Sequence, residues 1–179
     1  MVYVFLADGF EIIEALAPLD MMTRAGIEVK TVGVTGKLVS SSCGVQVTSD
    51  ITIDEFDFYD VEAIMLPGGM PGTLNLENNP DVQKAIDNAV NIDVPVCAIC
   101  AAPSILGHKG LLDGKEVTCF PGFEDALDGA TLSDKYVVTD GNFITARGAG
   151  VCIEFGLEIV KKLKGADVAE AVRQQIQCK

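Results

Sequence analysis

Val94-Pro95-Val96-Cys97-Ala98-Ile99-Cys100-Ala101-Ala102-Pro103 is an apolar run that ends in small residues and a proline. It reads as a strand over Val94–Ile99, then a helix over Ala101–Lys109 stopped by Gly110. A strand with no polar face is buried on both sides, as in parallel sheets covered by helices. The same pattern recurs along the chain. Val2–Ala7 precedes a helix over Glu11–Ala25, with Gly26 at the C-cap position. Ile27–Val34 is a second strand, and Lys37–Ser49 reads as a hairpin. Ala63–Leu66 is a short strand running into Pro67-Gly68-Gly69. Pro80–Val90 is helical, with the proline at its start. Val117–Phe120, Tyr136–Thr139 and Asn142–Ala146 are strand-like, the last two joined at Asp140-Gly141. Helices over Val151–Leu163 and Asp167–Gln177 follow. Alternating strands and helices predict an α/β fold, a mainly parallel sheet with helices on both faces.

The 179 residues predict one domain over 1–179, with no internal repeat or linker. A chain of this size buries roughly two thirds of its unfolded surface. Thirteen basic against 26 acidic residues give a net charge of −13. That charge argues against a sequence-independent nucleic-acid binder and against a lipid-surface protein, since both need clustered Lys and Arg. No apolar run approaches the ~20 residues of a membrane span. Met1-Val2-Tyr3-Val4 lacks a charged leader region and reads as the first strand. Six cysteines without an export signal point to reduced thiols in the cytoplasm.

In such a sheet, sites gather where strands end and helices begin. Three strand ends stand out: Ala7 to Glu14, Leu66 to Gly72, and Ile99 to Ala102. Cys100 sits at the third, between small residues, in the manner of a nucleophile elbow whose usual glycines are alanines. A helix N-terminus there would lower the thiol pKa from ~8.5 toward the ~3.5–7.5 range. A buried structural cysteine is the alternative. Cys97 completes a C-x-x-C, but its place inside the strand argues against a redox pair. One histidine and no second cysteine pair argue against zinc. Cys119, Cys152 and Cys178 read as core or surface thiols.

Asp8-Gly9-Phe10-Glu11-Ile12-Ile13-Glu14 opens the first helix. Asp8 and Glu11 have the spacing of an acidic capping box. Glu14 lies among Ile13, Ala15, Leu16 and Ala17, so its carboxyl is either oddly solvated or buried for a purpose. Pro18 is expected to kink the helix and open space near it. If Glu14 faces Cys100, two negative charges ~4 Å apart repel by about 4 kcal/mol at an effective dielectric near 20. That is roughly three pK units of coupling, so one proton is shared near neutral pH. The expected ground state is a protonated Glu14 donating to a Cys100 thiolate.

Leu66-Pro67-Gly68-Gly69-Met70-Pro71-Gly72 has no Walker pattern and no basic residue. It is either a common tight turn or a backbone cradle. In the second case an N–H of the Gly-Gly pair joins that of Ala101 in an oxyanion hole. Gly148-Ala149-Gly150 imitates a dinucleotide fingerprint, but Ile153 stands where a third glycine is needed. The one histidine, His108, lies ~12 Å along a helix from Cys100 at ~1.5 Å per residue. This excludes a Cys-His dyad within one subunit.

Five motifs in order resemble the DJ-one/ThiJ/PfpI superfamily of flavodoxin-like proteins. They are Ala7-x-Gly9-x-Glu11-x-x-Glu14, Arg24-Ala25-Gly26-Ile27, Leu66-Pro67-Gly68-Gly69, Ala98-Ile99-Cys100-Ala101-Ala102-Pro103, and Arg147-Gly148-x-Gly150 followed by Glu154-Phe155. The likeness is greatest to the Parkinson-associated branch, with its bacterial chaperone and deglycase relatives. It implies a flavodoxin-like three-layer sandwich, an oxidisable nucleophile at Cys100, and a protonated partner at Glu14. It further implies backbone donors at Gly69 and Ala101 and a homodimer in which the first helix takes part; from the residues, no cofactor and no metal are expected. Where the PfpI protease branch has a histidine after the cysteine, this chain has Ala101, which argues against proteolysis. Phe120 replaces a histidine of part of the Parkinson branch and so removes a proton shuttle. Cys43 replaces a hairpin arginine and would lie near the neighbouring subunit's site, where it would trap a Cys100 sulfenate.

The resemblance and the residues together point to Cys-dependent detoxification of glyoxal, methylglyoxal or their adducts. The alternative is a redox-responsive chaperone or sensor without turnover. A role in thiazole-phosphate synthesis would need a basic phosphate site that the glycine loop lacks.

Overall fold

The apolar runs become strands almost where the sequence puts them. In the computed structural model, which describes residues 1–178, β1 (Val2–Leu6) is buried at every position. It leads to α1 (Ile12–Arg24) and β2 (Val29–Gly33). A hairpin of β3 (Leu38–Ser40) and β4 (Gln46–Thr48) follows, then the short strand β5 (Ile51–Thr52). β6 (Ala63–Leu66) precedes α2 (Gly72–Glu77) and α3 (Pro80–Asn91). β7 (Val96–Ile99) turns directly toward α4 (Pro103–His108). β8 (Glu116–Val117) and β9 (Thr131–Leu132) form a small separate pair. β10 (Val137–Asp140) and β11 (Phe143–Ala146) form a hairpin, and α5 (Cys152–Lys164) and α6 (Ala166–Gln175) complete the chain.

The main sheet has seven strands in the order β10-β11-β7-β6-β1-β2-β5. All pairs are parallel except β10 with β11. The five strands β2-β1-β6-β7-β11 follow the 2-1-3-4-5 order of flavodoxin-like sheets. Alternate residues of β1 feed opposite layers: Val2, Val4 and Leu6 face one cluster, Tyr3 and Phe5 the other. The first layer holds α1, α5 and α6, and the second α3 and α4. No helix is long and apolar enough to cross a membrane among the described residues.

Several sequence expectations change in detail. Glu11 alone caps α1, its Oε2 accepting the Glu14 N–H at 2.8 Å. Asp8 instead accepts the Ser40 N–H at 2.8 Å and ties the first loop to the hairpin. α1 runs continuously through Pro18, which is buried. A Cβ on Gly156 would lie 2.7 Å from the Pro18 Cα, so the glycine lets α5 close against α1 there. The loop joining β10 and β11 is Gly141-Asn142, one residue later than Asp140-Gly141. The β5 edge strand and α2 carry too little periodic pattern to be read from sequence. α4 has only six residues and starts at Pro103, not Ala101.

Candidate active site

The order of β1 and β6 in the sheet reverses the direction of winding, and at such a switch point a crevice opens at the strands' carboxyl ends. Three loops meet in it: residues 7–11 after β1, 67–71 after β6, and the bend at Cys100 after β7. Cys100 has φ +66°, in the left-handed region. For a residue with a Cβ this costs of order 1–3 kcal/mol and is kept only where the surroundings enforce it. Here the Cys100 N–H donates to the Ala146 carbonyl and its own carbonyl accepts the Phe120 N–H, both at 2.8 Å. Ala101 and Ala102 are buried and leave no bulk against the bend. The elbow read from the sequence is thus present.

Glu14 is 1% exposed. Its carboxyl is hydrogen-bonded to the Cys100 sulfur and accepts the Gly68 N–H at 3.0 Å, with the Ala149 N–H as a further donor. Burial pushes this carboxyl up to about 7; the bond to Cys100 opposes the rise, the neighbouring Glu11 charge adds to it, and the backbone donors oppose it. Burial, then the charge and hydrogen bond of Glu14, push the Cys100 thiol up to about 12, while the N–H groups of Ala101 and Gly69 pull it down. The expectation of a thiol lowered by a helix end is therefore corrected. The helix begins three residues too late, and the desolvation that raises the carboxyl raises the sulfur too. The coupling itself holds: the first proton leaves the pair near neutrality and the second far above it.

The singly charged pair has two arrangements. With the charge on sulfur, Cys100 receives the Glu14 O–H and the N–H groups of Ala101 and Gly69. With the charge on the carboxyl, Glu14 receives the thiol and the N–H groups of Gly68 and Ala149. Glu14 loses its proton near 7 and Cys100 only near 12, so the charge rests on the carboxyl, and the expected ground state of a protonated Glu14 beside a thiolate is corrected: burial raises the sulfur more than its backbone donors lower it. No imidazole takes part: His108 Nδ1 is bonded to Glu77 Oε1 at the end of α2.

The glycine loop is shaped by close approach. A Cβ on Gly68 would lie 2.6 Å from Glu14 Oε2 and 2.7 Å from the Cys100 Cβ. Gly69 has φ +91°, and a Cβ on it would lie 2.4 Å from the Glu11 backbone nitrogen. The Glu11 N–H donates to the Gly68 carbonyl at 2.9 Å. Backbone thus locks the first loop to the second and aims the Gly69 N–H at the sulfur. Glu14, Gly69, Cys100 and Ala101, singled out in the sequence, all meet here.

Three features were not legible in the sequence. Ala149 lies in the segment tested there only as a nucleotide fingerprint, and its role as a donor depends on β11 lying beside β7. Buried Cys152 begins α5 close enough to Glu14 and Cys100 for their charges to add to the effect of burial, and its thiol rises to about 12. Lastly, a cleft of about 370 Å³ is lined by Phe120, Pro121, Tyr136, Arg147 and residues 148–151. It adjoins the nucleophile, since a Cβ on Gly148 would be 3.9 Å from the Cys100 sulfur. Cys97 is buried in the core as expected, and burial pushes its thiol up. Cys43 is an exposed thiol on the hairpin turn, lowered by its bond to the Ser41 hydroxyl 3.3 Å away. Among the described residues, no group of three or more His, Cys, Asp or Glu is placed to hold a metal.

Comparison with known proteins gives this site a family. The chain belongs to the DJ-1/PfpI family, whose model matches residues 1–162. It is 38% identical to the Parkinson disease protein 7 homolog of Danio rerio over 177 residues, covering 95% of this chain and 93% of the relative. Among solved structures, Drosophila melanogaster DJ-1beta superposes with a TM-score of 0.95 at 31% identity, covering 99% of this chain and 97% of that one. An oxidized Toxoplasma gondii DJ-1 gives a TM-score of 0.95 at 28% identity, with the same coverage of 99% and 97%.

Proposed function

We propose that this member of the DJ-1/PfpI family converts small α-oxoaldehydes, glyoxal and methylglyoxal or their adducts, to hydroxy acids through Cys100. The observation that carries the reading is the sharing of one proton between a buried acid and a sulfur on a strained elbow, beside two backbone N–H groups and with no histidine. The Cys100 thiolate adds to the aldehyde carbon, and a C–S bond forms. The aldehyde oxygen becomes an alkoxide held by the N–H groups of Gly69 and Ala101. Glu14 gives that oxygen its proton, then as carboxylate takes the proton from the former aldehyde carbon. It returns this proton to the adjacent carbon while the hydroxyl proton passes to the neighbouring oxygen, leaving a hydroxy thioester on Cys100. Water cleaves the thioester, releasing lactate from methylglyoxal and regenerating the thiol. Overall, one aldehyde and one water give one hydroxy acid, without glutathione or cofactor. Cys100→Ser and Glu14→Gln should each abolish lactate formation, and an unchanged rate in either variant defeats the mechanism.

A second reading has its own support. The three donors around the sulfur suit an oxidised sulfur as well as a thiolate, and the Toxoplasma gondii DJ-1 of the same fold has been solved oxidized. In that role Cys100 is a peroxide sensor, its sulfinate held by the Glu14 proton. The two readings separate cleanly. Catalytic lactate supports the enzyme, whereas a stoichiometric +32 mass on Cys100 without lactate supports the sensor. In either role the chain is proposed to act in the cytoplasm as a homodimer through α1, where Ile13 points outward 49% exposed.

A further inference from the structure

We infer that the cleft beside Cys100 is an aryl subsite, so that the preferred electrophile is an aromatic α-oxo compound and not methylglyoxal. The inference rests on Cys100 being the nucleophile, as in the reading above, and adds the chemistry of the group attached to the reacting carbon. A molecule joined to the sulfur has few directions in which to extend. Glu14 and Gly68 close one side of the sulfur, and a Cβ on Gly68 would already collide with both Glu14 and Cys100. Beside the sulfur stands a second glycine, Gly148, whose missing Cβ would sit 3.9 Å from the sulfur and 3.1 Å from the Phe120 ring. A substituent passing Gly148 therefore meets the Phe120 ring and enters the cleft of about 370 Å³.

The walls there are carbon. Phe120 is 46% exposed and Tyr136 62% exposed, two aromatic side chains left open where the core would ordinarily claim them. Pro121 and Val151 add apolar surface. Arg147 adds a flat face to the cleft, its guanidinium lying over the Tyr136 ring, 5.4 Å from the centroid. A cation stacked on a ring presents a flat layered surface, on which another ring packs well. A methyl substituent would leave this volume nearly empty, whereas a phenyl substituent would bury its ring between Phe120 and Tyr136.

An aromatic contact of this kind contributes of order 1 kcal/mol beyond simple burial, so with burial the preference should reach about 10-fold or more. The test uses two alkylating probes with the same leaving group, 2-chloroacetophenone and chloroacetone. In each the Cys100 sulfur displaces chloride from carbon, so no turnover is needed. The readout is the ratio of the two second-order rates at Cys100, divided by the same ratio for N-acetylcysteine. Wild type is expected to favour the aryl probe by about 10-fold over the free thiol, and Phe120→Ala and Tyr136→Ala should each bring this factor below ~3-fold. A wild-type ratio equal to that of the free thiol overturns the inference, as does a preference that survives in both variants. Steady-state kcat/KM for phenylglyoxal against methylglyoxal should follow the same pattern, with mandelate as product. If the alkylation preference is found but neither aldehyde is turned over, the subsite stands and the enzymatic reading falls.

Discussion

Replacing Glu14 by Gln should stabilise the protein at alkaline pH, the opposite of what losing a hydrogen-bonded carboxylate ordinarily does. The carboxyl rises from 4.5 to about 7 in the folded state, chiefly because it is buried. A raised acid binds its proton more tightly folded than unfolded. Between these two values the native state therefore holds more protons, and stability falls as pH rises. Glu14 costs little below pH 4.5 and carries its full penalty above pH 7. At 1.36 kcal/mol per pK unit, the loss between pH 5 and pH 8 is about 2–3 kcal/mol. Gln imitates the protonated acid: its oxygen can accept from Gly68 and Ala149, its amide can donate to the sulfur, and it does not titrate. Thermal unfolding of wild type and Glu14→Gln, followed by circular dichroism at both pH values, tests this. The Tm advantage of the variant should grow by roughly 4–12 °C from pH 5 to pH 8, at about 2–4 °C per kcal/mol for a domain of this size. Working at pH 8 keeps the Cys100 thiol, raised to about 12, out of the measurement. An advantage that stays constant across the range, or shrinks, refutes a carboxyl raised by burial and with it the shared proton.

Alkylation of Cys100 by iodoacetamide should stay slow through pH 8 and rise only at more alkaline pH, and Glu14→Gln, which removes the carboxylate whose charge and hydrogen bond raise the thiol, should move that rise to lower pH by about one unit or more. Gly68→Ala, which drives a methyl to 2.6 Å from Glu14 Oε2, should cost about 1–3 kcal/mol in urea unfolding and reduce lactate formation by more than the loss of folded protein explains. Gly156→Ala sets a methyl 2.7 Å from the Pro18 Cα and should lower Tm by a comparable energy while leaving the Cys100 alkylation midpoint in place. Ile13→Asp, an outward change on α1, should turn the proposed dimer into monomer by sedimentation velocity; an unchanged sedimentation coefficient excludes α1 from the interface.

Long, strongly patterned segments were legible in the residues alone. β1, β6, α3 and α5 could be read because a strand buried on both faces is apolar throughout, and the start of α3 is marked by Pro80. β5 and α2 could not: two and six residues hold too little periodicity, and sheet edges and tertiary contacts decide them. The same division runs through the site. The sequence by itself determined which atoms are available: a cysteine between alanines after a buried strand, an acid on an apolar helix face, a glycine pair, and one distant histidine. Such residue types are chosen by what can fit and react locally, so they can be read locally. Only the tertiary structure decided the energetics. Burial, the Gly68 and Ala149 donors, and the approach of β11 to β7 come from segments far apart in the chain. A proton's place depends on everything within a few ångströms, so the raised carboxyl, the raised thiol and the open aromatic cleft exist only once those segments are brought together.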